Sequence, residues 1–309
     1  MPTFDTPEPI TVRIDLPGGE VKIIAGERAD TVVDIRPGDE EEEETGAIQA
    51  VYQAGTLTVT APPRRDGLHD GLHSGLDRAV RQAVGGRQGG WSLSGLVRML
   101  SDWGHSSPAV TIEVPAGSHV QGEASGGDFR CVGRLGECRL RSDYGDIRLD
   151  EADTVRLRTG SGDITVDRVG GRAEITTDSG EVRVHEIGGG AAVSNDDGEC
   201  YLGEVGGDLR LSGVHGDMRV ERAHAGVEAK TVYGSVRIGQ VTRGLVELTS
   251  TGGDLEVGIR EGTAALLEVS TAQGRLVNAL EPREGPGGFE ETVEIRARSH
   301  DGDITIRRA

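Results

Sequence analysis

Large rings are nearly missing from this chain: Phe, Trp and Tyr together make up 3% of its 309 residues. That scarcity argues against a globular core of the ordinary kind, and against the aromatic platforms on which sugar-cleaving β-helices hold their substrates. Cysteine is equally rare. Cys131, Cys138 and Cys200 lack CxxC spacing and read as small apolar core residues, with a disulfide or metal role as the alternative. Basic residues are outnumbered 33 to 52, for a net charge of −19, a field that repels nucleic acid and anionic lipid and keeps a repetitive β protein in solution. No apolar run approaches the roughly 20 residues that cross a bilayer. Met1 to Thr11 has neither the basic start nor the apolar stretch of a signal peptide, so the expectation is a cytoplasmic chain. The GxSxG elbow, the P-loop, the dinucleotide fingerprint and zinc-ligand spacings are also missing. With no catalytic, cofactor or metal constellation, the expectation is a protein that is not an enzyme.

Glycine, by contrast, is abundant, at 49 residues, and it is periodic. A Gly-acid-apolar step or a near variant begins at Gly127, Gly145, Gly162, Gly180, Gly198, Gly216, Gly234, Gly253, Gly274 and Gly302, at offsets of 18, 17, 18, 18, 18, 18, 19, 21 and 28 residues. A fixed period of this size means one supersecondary unit copied along an axis. Between steps the apolar residues alternate: Ile147 and Leu149, then Val155 and Leu157, then Ile164 and Val166. Period two is the mark of half-buried strands. The fold class is therefore all-β, a single-domain parallel β-solenoid, a flattened β-helix of about 18 residues and two strands per rung. Nine or ten rungs at ~4.8 Å would stack to about 45 Å. Glycine permits positive φ at a tight corner, and the acid beside it can accept backbone N–H groups there.

Residues 1–63 read as the atypical first rungs and cap, continuous with the regular repeats of 108–309. Strands are expected at Ile10–Ile14, Gly19–Ile23, Thr31–Ile35 and Thr56–Val59, with Pro17-Gly18-Gly19 as a turn. Glu40–Glu44 reads as a solvated loop. Residues 64–107 break the alternation and read as a small helical or flexible insertion. Leu68, Leu72, Leu76, Val80 and Val84 recur at four-residue steps, and Leu93, Leu96, Val97 and Leu100 lie at helical spacing between Trp91 and Trp103. Six Arg against four Asp give this segment about +2. End cap, partner-docking helix and lipid contact are the three readings of such a composition. His69 and His73 share helical spacing for a metal, but no third ligand accompanies them.

Two outward rows are the other candidates for interaction. Arg130, Arg148, Arg183, Arg219 and Arg237 follow the apolar residue of successive steps, and the step acids Asp128, Asp146, Asp163, Glu181, Glu199, Asp217 and Asp254 run beside them. The rows either neutralise each other or form a groove for an anionic polymer. Calcium is a further alternative. Repeat-in-toxin rolls hold Ca²⁺ in G-G-x-G-x-D turns, whereas Gly160-Ser161-Gly162-Asp163 lacks the spacer between glycine and acid.

The run Gly126-Gly127-Asp128-Phe129-Arg130-Cys131, the repeated steps, and the closing Ser299-His300-Asp301-Gly302-Asp303-Ile304 resemble the bacterial, adhesin-labelled Toastrack-type β-strand-repeat family of unknown function. The opening Phe4-Asp5-Thr6-Pro7-Glu8-Pro9-Ile10 looks like actinobacterial members. The resemblance spans nearly all of the chain except 64–107. It implies a β-solenoid associated with cell-envelope stress systems and without established catalytic residues. Three functions are left open: a scaffold or protein-interaction module with a protein partner, a membrane-associated one included; a self-assembling, bactofilin-like homo-oligomer; and a surface adhesin or Ca-binding repeat protein.

Overall fold

The structure is a computed structural model, and it describes residues 1–36, 48–61, 108–281, 288 and 291–309. The helices expected within 64–107 fall outside these residues, as does Glu40–Glu44, and the described residues contain no helix. They form strands β1 (Thr3–Asp5), β2 (Thr11–Gly26), β3 (Asp30–Arg36), β4 (Gln49–Gln53), β5 (Thr56–Thr60), β6 (Ala109–Pro115), β7 (His119–Tyr144) and β8 (Ile147–Ser161). Next come β9 (Ile164–Val169), β10 (Ala173–Ser179), β11 (Val182–Ile187), β12 (Ala191–Asp197), β13 (Cys200–Val205), β14 (Leu209–His215), β15 (Met218–Ala223) and β16 (Val227–Lys230). The last are β17 (Val236–Val241), β18 (Gly244–Thr249), β19 (Leu255–Ile259), β20 (Thr263–Thr271), β21 (Leu276–Asn278), β22 (Glu291–Ser299) and β23 (Ile304–Arg308).

Even-numbered strands from β10 to β18 pair in parallel on one side of the coil, odd-numbered strands from β9 to β19 on the other. Ala173 faces Ala191, which faces Leu209, and so on at 18-residue spacing. The expected period is thus the stacking period. The two sides are not separate sheets, because β2, β7 and β8 run through the corners and join them into one ladder.

Alternation places the core where the sequence implies. Ile147, Leu149, Val155 and Leu157 are buried with Ile164, Val166, Ala173 and Ile175 stacked on them in register. Each buried Val, Leu or Ile contributes about 1.5–3 kcal/mol of transfer free energy. Phe129 is the one ring among the largest fully buried side chains, and Gly122 makes room for it, since a Cβ there would lie 2.8 Å from the Phe129 ring. The 17- and 19-residue offsets do not disturb the apolar columns. Bulges between Cys131 and Arg134 and between Ile238 and Val241 absorb part of the irregularity.

Stacking departs from chain order at both ends. At the N-terminal end β2 lies between the β5–β6 rung and β7, so Gly127 rests on Gly19 across 108 residues of sequence (127 − 19). Gly19-Glu20-Val21 is therefore a further Gly-acid-apolar step. Strands β3 and β4 close this end antiparallel to β6 and β5, so Thr31–Ile35 is a cap strand rather than a parallel rung. At the other end the last rung in sequence, β22–β23, inserts between β18–β19 and β20–β21. The offsets of 21 and 28 mark this exchange of order.

Candidate functional site

The repeat converges on one corner per rung, and its side chains are used there. Each step glycine presses on the carbonyl of the glycine one rung below. A Cβ on Gly180 would lie 2.1 Å from the Gly162 carbonyl oxygen, and one on Gly198 2.1 Å from that of Gly180. Gly180 also has φ 138°, which L side chains rarely adopt. No other residue fits such a column.

The acid after the glycine staples the next rung. Asp128 Oδ1 accepts the backbone N–H of Asp146 at 2.8 Å, Asp146 Oδ1 that of Asp163 at 3.0 Å, and Asp163 Oδ1 that of Glu181 at 2.8 Å. Further along, Asp217 accepts from Ser235, Asp254 from Asp303 and Asp303 from Arg275. An ionised acceptor makes each bond stronger than a neutral one. Glu181, just before β11, instead ion-pairs with Arg183 two residues on.

A third ladder escaped the sequence reading. Three residues before most step glycines stands a buried Ser, Thr or Asn: Ser142, Thr159, Thr177, Asn195, Thr231, Ser250 and Ser299. At Ser250 and Ser299 the hydroxyl does two jobs. Ser299 Oγ accepts the N–H of Gly302 at 3.0 Å and donates to the Gly253 carbonyl at 3.1 Å, and Ser250 does the same with Gly253 and Gly234. Only a group that is both donor and acceptor can serve two polar backbone atoms from one position. The signal was present as [Ser/Thr/Asn]-x-x-Gly. At Asn195 the amide nitrogen donates to the Gly180 carbonyl while Oδ1 has no partner among the described residues, and the rung above carries Gly213 at this position.

The candidate arginines come together as the sequence implies. Strand register aligns Lys22, Arg130, Arg148, Thr165, Arg183, Tyr201, Arg219, Arg237 and Glu256 in one outward row. Arg148 pairs with Asp146 at 3.0 Å, and Arg237 with Glu256 at 2.6 Å. Among the described residues no carboxylate lies within ion-pair distance of Arg130 or Arg219. Other rows hold opposite charges on neighbouring rungs: Arg156 with Glu174 at 2.8 Å, Arg168 with Glu186 at 2.6 Å, Arg222 with Glu204 at 2.6 Å. Each exposed pair contributes at most about 1 kcal/mol. Hydrogen bonds from Arg222 and His224 hold Glu204 below its ordinary pKa. Burial pushes Glu256 up, but Arg307 and Arg237 outweigh it and its pKa is lowered.

Trp91, Leu93, Leu96, Val97, Leu100 and Trp103 lie outside the described residues, as do His69 and His73. β5 ends at Thr60, and Pro108 returns beneath Gly19, where its carbonyl accepts the Glu20 N–H at 3.0 Å. The three cysteines are buried, unbridged core residues, and burial raises Cys200 to about 12. Among the described residues no three His, Cys, Asp or Glu side chains converge for a metal.

A known family profile covers the glycine–acid repeats. The profile Toastrack DUF4097 matches residues 91–307. The chain belongs to this family. The Toastrack match begins inside 64–107 and leaves the first 90 residues outside, although β2 and β5 belong to the same coil. No curated protein matches this Toastrack chain in sequence. Among solved structures, a candidate cell adhesion protein from Clostridium sporogenes aligns at 12% identity over 100% of this chain and 98% of its own, with a TM-score of 0.20.

Proposed function

We propose that this Toastrack chain is a non-enzymatic scaffold, a rigid solenoid that presents interaction segments to a protein partner in a cell-envelope stress pathway. One observation carries the reading: the residues able to do chemistry are committed to stacking. Most step carboxylates hold the backbone of the next rung, the buried hydroxyls bond backbone groups of the corner, and many outward arginines pair with a carboxylate. A polar group already bonded to the backbone is poorly placed to serve as nucleophile or base. The solenoid then acts as the mount, located in the cytoplasm. Arg130 and Arg219, without ion-pair partners among the described residues, and the segment 64–107 are the places where a partner would engage.

The test is affinity purification with crosslinking from native cells. It compares the full chain, an Arg130→Ala/Arg219→Ala variant, and a version with 64–107 replaced by a Gly-Ser linker. A specific partner recovered with the full chain and lost with one of the two variants is expected. Recovery of no partner above background by any of the three would sink the scaffold reading.

A further inference from the structure

The two ends of the solenoid are finished differently, and the difference points to a second copy of the chain. At the N-terminal end the parallel coil is closed by strands running the other way: β4 on β5, β3 on β6, and the three-residue β1 on β3. Short antiparallel edge strands are a common means of blunting a sheet edge. At the C-terminal end the outermost rung is β20–β21, paired only on its inner side, with β22 and β23. Among the described residues nothing pairs with its outer side.

That edge is nine residues long in β20 and contains no Lys, Pro or Gly. Its inward column is uncovered. Ala265, Leu267 and Val269 stand directly on Val293, Ile295 and Ala297, which are 2%, 0% and 0% exposed, yet they are themselves only partly buried. Leu276, at the inward position above Ile304, is 48% exposed, and outward Leu266 is 68% exposed. Among the described residues the end therefore lacks a further layer on both sides of the coil, with unmet backbone hydrogen bonds and an open apolar column.

We propose that this end is a homodimer interface in which β20 and β21 pair antiparallel with the β20 and β21 of a second copy. A two-fold axis normal to the sheets reverses both strands and keeps inward residues inward. With Leu267 at the centre, Ala265 faces the partner's Val269, and Leu266 faces the partner's Glu268. Antiparallel closure is the same solution the chain uses within itself at its N-terminal end. Charge favours the arrangement as well. In a chain of net −19 most self-contacts are repulsive, but the ionisable side chain of this edge, Glu268, is paired with Arg298 at 2.7 Å. A partner strand of different chemistry would have to match both edges at once, whereas a second copy matches them by symmetry. The interface is closed, so assembly stops at two. The inference stands apart from the scaffold reading, because it concerns the end of the coil and no other partner.

Sedimentation velocity on the full chain tests it, with light scattering for mass. The expected species is twice the 32.5 kDa chain. Leu266→Glu with Leu276→Glu sets a like charge against Glu268 and polarises an exposed apolar position, and should weaken the dimer at least tenfold while circular dichroism stays unchanged. Val51→Glu, on the exposed edge strand at the opposite end, should leave the dimer intact. The proposal is overturned by a monomer at high micromolar concentration, including one whose β20 and β21 amides resist hydrogen exchange because the chain covers its own end. It is equally overturned by open-ended polymers, by a dimer that survives Leu266→Glu/Leu276→Glu, or by one that Val51→Glu abolishes.

Discussion

At the residue scale the corner of each rung is decided by contact distances. At Gly180 glycine is required twice over, by a backbone angle that side chains avoid and by a carbonyl that occupies the space a Cβ would fill. Gly180→Ala should therefore cost on the order of 3 kcal/mol, because its Cβ would sit 2.1 Å from backbone that cannot move without shifting the rung below. Gly126→Ala is the control. A Cβ there meets nothing within 4 Å, and the change should stay within about 0.5 kcal/mol. Urea midpoints of the two variants measure the difference, and equal midpoints would refute the steric account. The glycine and its acid were legible in sequence, since both recur in the same place. The hydroxyl three residues earlier was overlooked because Ser, Thr and Asn interchange there and Gly213 interrupts the row. Its reason becomes visible only when one oxygen is seen between two backbone groups.

Elements in this fold obtain stability from neighbours in space rather than in sequence, and β20–β21 shows the consequence. These strands follow β19 in the chain, yet they rest on β22–β23. A chain ending at residue 281 should consequently lose exchange protection in β20 and β21, although every residue of both strands is present. Stacking in chain order would predict the opposite, full retention. Hydrogen exchange followed by mass spectrometry separates the two outcomes. Strand existence and facing were readable from alternation, because a strand with one buried face must alternate whatever it pairs with. Pairing order at the ends was not readable. Every rung offers nearly the same apolar pair to its neighbour, so any two rungs match on sequence grounds.

For the whole molecule the acidic excess coexists with locally balanced rows, and the two separate in their pH dependence. Glu204 is held below its ordinary pKa by Arg222 and then His224, Glu228 by Lys230 and then Arg210, and Glu256, despite burial, by Arg307 and Arg237. A carboxylate lowered in the folded state binds its proton later than in the unfolded chain. Its stabilisation is therefore complete above the unfolded value of about 4.3 and lost as pH falls through the lowered folded value. Thermal stability should be flat in this respect from pH 7 to about 5 and fall below about 4. In Glu204→Gln the acid-side fall should be shallower, and an unchanged slope would count against the paired rows as its cause.

Period, alternation and the glycine–acid step were settled by the sequence alone, because a repeated unit must bury the same face and turn the same corner in every copy. The order of rungs at each end, the strands that close the N-terminal side and the open edge at the other were decided only in three dimensions. Identical rungs carry no label for their neighbours. Which rung becomes terminal depends on the path of the connections and on which apolar columns are covered once the coil has closed.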